Sequence, residues 1–262
     1  MLSRLCKPMI LLHRLTTFAV CLTTTAGFLL LLFSSIHPYV LVIMMGLLCA
    51  LLMARLLQWQ VGTFQFWHLL GTPVLFLLSS FGPFFLLENL PSKALLSFLV
   101  VTILFLFIEH VFHFIHLPVA YQPFTLEYLS GLLHILSVFF LSVLGFGLSL
   151  FLQTPLWILS LVSFLVLFFI VYGTLWAGKI DSHHARPYAF AGAVLMTELF
   201  AALTYLPTGF YSNAAFLALG VYMFLGLSRA HALHKLSKEV LRRYLTVFFI
   251  LTLAIIVTSQ WI

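Results

Sequence analysis

The stretch ALLSFLVVTILFLFIEHVFHFIHLP, residues 94–118, is apolar from Ala94 to Ile108 except for Ser97 and Thr102, and then places one carboxylate and three imidazoles within eight residues. A bilayer core about 30 Å thick takes roughly 20 apolar residues of helix, so the segment has the length of a membrane span with polar final turns. Outward from it, cuts at proline, glycine and charge give the same kind of segment eight more times. The nine spans are 15–33, 39–57, 66–87, 94–117, 128–152, 156–177, 187–206, 210–228 and 244–262. Pro38, Pro91, Pro155 and Pro187 stand at or just before span starts, where a missing N–H costs no helical hydrogen bond. The fold class is therefore all-α: a polytopic transmembrane helix bundle, one domain over residues 1–262.

Composition excludes the soluble alternatives. The 262 residues are 63% hydrophobic and 7% charged with a mean hydropathy of +1.19, whereas a globular domain carries roughly 25% charged residues. The net charge of +6 does not point to nucleic acid, because the Lys and Arg are dispersed in short loops between apolar runs. Cys6, Cys21 and Cys49 form no CxxC and no pairing framework, and are expected to act as small hydrophobes. The basic start MLSRLCKPMILLHRL precedes an apolar run with no small-x-small cleavage site after it, and reads as the lead into an uncleaved first span.

Charge sets the orientation. With the N-terminus inside, Arg4, Lys7, Arg14, Arg55, Lys179, Arg186, Arg229, Lys235, Lys238, Arg242 and Arg243 all fall on the cytoplasmic side, and only Lys93 on the other. The C-terminus is then outside, with Trp261 as an interfacial anchor, and the bacterial cytoplasmic membrane is the expected location. The basic segment 229–243 repeats Leu233, Leu236 and Val240 at helical spacing opposite Lys235, Lys238, Glu239 and Arg242. It is expected to prolong its two flanking helices and to meet anionic headgroups or a docking protein.

On a helical wheel, Glu109 at zero puts His113 at about 40°, His116 at about −20° and His110 at about 100°. Glu109, His113 and His116 form one stripe, with His110 on its flank and Glu109 some 13 Å inside the boundary. Ionisable groups inside a membrane mark functional sites by default, because solvating or neutralising them costs several kcal/mol. Glu109 is the first proton or cation candidate, with His110, His113, His116 and His134, the last about 9 Å into span five. Glu198, about 17 Å into span seven, is the second. No cofactor is predicted; a metal, if bound, would take Glu109, His113 and His134, and haem between histidines of two helices stays open. A purely structural pairing of His with Glu across one turn stands beside these. His68 and the loop residues Asp181, His183 and His184 add to the imidazoles on the cytoplasmic side.

Span three holds Pro73 and Pro83, each beside a glycine, and is expected to be kinked or broken there. Ala189 with Ala193, and Ala214 with Ala218, have the four-residue spacing that lets helices approach closely. From Thr197 onward, the glutamate of span seven, the LP..FY turn and the basic loop before a last span resemble the C-terminal part of uncharacterised polytopic inner-membrane proteins of candidate-phylum bacteria. That resemblance implies an inner-membrane protein and transfers no activity. No GxSxG, Walker or paired acidic metal motif is present. Three functions remain: a non-catalytic structural or assembly component with membrane-protein partners, a small transporter or channel-like protein using Glu109, and a metal- or haem-dependent membrane enzyme.

Overall fold

The computed structural model describes residues 2–34, 37–119, 121–122, 124–180 and 182–259, with side chains from Arg14 onward except those of Ser182 and His184. Cys6, Asp181, the His184 side chain and Trp261 therefore lie outside the description. The described residues form nine helices: α1 (Leu2–Phe33), α2 (Pro38–Leu56), α3 (Phe64–Leu86), α4 (Leu90–His116), α5 (Thr125–Phe151), α6 (Leu156–Ala177), α7 (Ser182–Leu203), α8 (Phe210–Ala232) and α9 (Lys238–Thr258). Eight are long and apolar enough to cross a membrane, α1 through its Arg14–Phe33 part; α7 is the exception. The boundaries follow local chemistry. Pro38 and Pro91 open α2 and α4, and Thr63 and Ser237 cap α3 and α9 by accepting from the N–H of Phe66 and Val240. Helices α2, α6 and α8 end without a left-handed glycine. In each, a left-handed residue, Gln58, Lys179 or His234, precedes an N–H that bonds back five residues, to Ala54, Leu175 or Ala230.

Two compact units divide the chain, Met1–Leu133 and His134–Ile262, the boundary falling inside α5. In the first, neighbouring helices run antiparallel. Arg14 and Phe18 on α1 meet Glu109 and Phe105 on α4, and Gly27 on α1 lies against Met45 on α2. Phe28, late in α1, packs on Phe81 and Phe84, late in α3, while His116, ending α4, bonds Leu56, ending α2. The proline-bearing span is continuous: α3 runs unbroken from Phe64 to Leu86 through both Pro73 and Pro83. The expected interruption is absent because both prolines are buried, as are Phe66, Leu69, Phe76, Leu77, Phe81 and Phe84 around them, so packing holds the backbone that the missing N–H groups release.

In the second unit, His134 on α5 meets Thr174 near the end of α6, and Phe146 stacks on Phe200 of α7 with centroids 4.6 Å apart. The less apolar α7 runs antiparallel to α8. Tyr188 near its start bonds His231 at the end of α8, while Gly192 lies against Phe224 and Leu199 against Gly220 further along. A Cβ on Gly178, just past α6, would stand 3.3 Å from Arg229 Nε, so α6 and α8 end at the same face and α7 must return between them. Pro187 falls inside α7, whose helix starts at Ser182 instead of at the proline. Ala185, Ala189 and Ala193 are fully buried, as are Ala214 and nearly Ala218, which lets α7 lie close to its neighbours. Helix α9 packs on α8, where Tyr244 covers Gly226, and buries none of its residues. Helices α8 and α9 do extend into the basic segment, leaving 233–237 between them. Alternation of this kind predicts that reporter fusions after residues 60 and 182 read one compartment and those after 90 and 208 the other. The same compartment at 182 and 208 would remove α7 from the membrane.

Candidate functional site

The four polar residues that close α4 do not act as one ladder. Glu109 Oε1 lies 4.0 Å from Arg14 on α1 and 4.0 Å from His113 Nε2 one turn on. His110 Nδ1–H donates to the Leu106 carbonyl at 2.7 Å, inside its own helix. His116 Nε2–H donates to the Leu56 carbonyl at 3.2 Å, capping the end of α2, and its ring packs on Phe112. Glu109 pairs with His113 and Arg14, and the His110 ring stands edge-on to that of His113 with centroids 6.4 Å apart.

Arg14 changes the electrostatic reading of Glu109. It lies at the edge of the apolar part of α1, with 56% of its side chain exposed, against 17% for Glu109. Since α1 extends back to Leu2 and α4 is 27 residues long, each helix outruns a 30 Å core. The carboxylate is therefore not isolated: a guanidinium stands beside it and its charge is compensated across two helices. Its second oxygen, Oε2, is buried without a hydrogen-bond partner among the described residues. Around this corner stand Trp59 and Trp67, both about half exposed, with Trp67 Nε1–H donating to the Val61 carbonyl, as suits aromatic side chains at a membrane interface.

Two other histidines are buried by hydroxyl partners. His68, 1% exposed, shares a hydrogen bond of 3.1 Å with Ser130. His134 is fully buried, and its Nδ1 lies 2.7 Å from Thr174 Oγ1. Thr174 O–H also has the Ile170 carbonyl as acceptor at 2.8 Å. With that hydroxyl proton directed to Ile170, Nδ1 is the donor of the pair. Of the three residues proposed for a metal, Glu109 and His113 stand together; among the described residues no group of three His, Cys, Asp or Glu side chains is placed to hold an ion. Glu198 differs from all of these. It is exposed on α7, on the same outward face as Phe190, Ala191, Leu195 and Ala202, and has no hydrogen bond or ion pair to another described residue.

No family model, curated protein or solved structure matches the chain. The site therefore stands on its own geometry. Arg14 is the residue that the sequence reading left at the membrane edge without a role, although a signal was present. Arg14 and Glu109 each lie nineteen residues from the far end of their helices, Phe33 and Leu90, which levels them once α1 and α4 run antiparallel.

Proposed function

We propose that the protein is a non-catalytic assembly component of the bacterial cytoplasmic membrane, N-terminus inside and C-terminus outside, which joins another membrane protein through the outward face of α7. The basic segment 229–243 then faces the anionic headgroup layer. One observation carries the reading: Glu198 is exposed among apolar residues of a membrane-crossing helix and has no counter-charge among the described residues. An acidic side chain facing lipid is penalised on insertion scales, most at a helix centre and less toward its ends. Glu198 lies five residues inside the end of α7, or about 7.5 Å. Side chains on a helix tilt toward its N-terminus, which here directs the carboxylate back into the apolar length of α7 instead of toward the nearer surface. A helix of a second protein offering a donor or a cation removes the cost, and Phe190 and Leu195, 58% and 50% exposed, supply the apolar contact around it.

A photocrosslinking residue at Leu195 is expected to give a discrete adduct with another membrane polypeptide in cells. The adduct should disappear in Glu198→Leu and survive in part in Glu198→Gln, which keeps hydrogen bonding. The same probe at Phe249 on α9 should label no protein. Labelling of lipid alone at Leu195, or an adduct indifferent to Glu198→Leu, would overturn the assembly reading. A second reading, a proton or cation site at Glu109, has the buried Oε2 in its favour.

A further inference from the structure

We propose that the outward face of α9 binds one phospholipid with an anionic headgroup, through Arg242, Arg243 and Thr246 at the headgroup and Ile250, Leu253 and Val257 along the acyl chain. The inference rests on α9 alone and does not require the α7 reading. Residues 239, 242, 243, 246, 250, 253 and 257 fall within about 60° of one line down the helix. Tyr244 lies on the opposite side, where it packs over Gly226 and beside Tyr222 of α8, so this line faces away from α8.

Chemistry changes along the line as it does along a lipid. At the start is an open groove of about 300 Å³ lined by Glu239, Arg242, Arg243, Thr246 and Val247. Arg242 and Arg243 are exposed and form no ion pair within the 4.0 Å limit with any described residue, and the same holds for Lys235 and Lys238 nearby. With Glu239 the only acid, the groove keeps a net positive charge, which matches a phosphodiester, and the Thr246 hydroxyl can donate to a phosphate oxygen. Beyond it the face is apolar and open: Ile250, Leu253 and Val257 are 62%, 63% and 75% exposed. From Thr246 to Val257 the axis rises about 16 Å, close to the half-thickness of a bilayer core. Guanidinium groups at the membrane boundary and one leaflet of open apolar helix thus share a single stripe. A free phosphate would use only the first part of it, and a docking protein would leave the match to leaflet depth without a cause.

Native mass spectrometry of the full-length protein released from detergent tests this, with phosphatidylglycerol and phosphatidylcholine of identical acyl chains as probes. Retained phosphatidylglycerol should exceed phosphatidylcholine. Arg242→Gln/Arg243→Gln should weaken that preference by roughly thirtyfold, the factor expected from losing two Arg–headgroup attractions. Lys235→Gln/Lys238→Gln removes the same charge outside the groove and should weaken it far less. Because α9 buries no residue, neither pair disturbs packing, and an unchanged melting temperature checks this. Equal retention of the two lipids, equal effects of the two double variants, or displacement of the lipid by inorganic phosphate alone would overturn the proposal. So would a dimer that dissociates on Arg242→Gln/Arg243→Gln, which would make the face a contact between two copies.

Discussion

Gly192→Leu should separate α7 from α8 and destabilise the protein by at least the 1–3 kcal/mol typical of overpacking. A Cβ at this position falls onto the Phe224 ring, and the fully buried Ala185, Ala189 and Ala193 leave α7 no slack to move aside. Denaturant or thermal unfolding in a mild detergent would measure the loss. Ala191→Leu, one residue away on the exposed face, should change stability little. Adding Phe224→Ala to Gly192→Leu should recover part of the loss, since the two side chains compete for the same volume. Equal stability of Gly192→Leu and wild type would mean that α7 and α8 are not packed as described.

Arg14→Glu is the second large change expected, because it sets two carboxylates where an ion pair of 4.0 Å stood, with Glu109 83% buried by its helices. Exposure of Arg14 limits the attraction in the native pair to about 1 kcal/mol. Like-charge repulsion and the loss of compensation at the membrane boundary add to this in the variant. The exchanged double variant Arg14→Glu/Glu109→Arg should restore most of the stability, which a merely local effect of either substitution would not allow. Cation and proton flux in proteoliposomes, measured on Glu109→Gln, separates the two functional readings. An assembly component carries no flux to lose, whereas a transport site at Glu109 loses it in a protein that remains folded.

The nine helices were legible from prolines, charge and apolar length, and most of their ends fell within a few residues of those cuts. The departures have physical causes. Helix α1 continues back to Leu2, beyond what a bilayer demands, because Pro8 lies close enough to the helix start to forfeit only one hydrogen bond near the unsatisfied first turn. Pro187 did not mark the start of α7, since a proline six residues into a helix forfeits only a hydrogen bond near the unsatisfied first turn. Pro73 and Pro83 suggested a kink or a break; the helix runs unbroken through both, and the packing that holds it depends on neighbours that the local sequence does not name. The candidate site was legible as a set of residue types but not as a set of partners. His110 and His116 turn to backbone carbonyls, and Arg14 reaches Glu109 across 95 positions of chain. Neighbouring histidines set Glu109 apart from Glu198 in the sequence, but nothing local showed that Glu198 stands exposed and Glu109 is paired with Arg14.

The unequal apolarity of α7 and α9 also bears on how the chain enters the bilayer. Helix α9 shares no core, so its partition from the ribosomal exit into lipid has to be favourable by its own composition, and it is among the strongly apolar segments. Helix α7 is the reverse: less apolar than the other eight, yet held along its length by α6 and α8. A place in the membrane would thus belong to the helical hairpin and not to the segment alone. Synthesis would then have to bring out α8 before α7 could settle, whereas α9 could leave as soon as it is made.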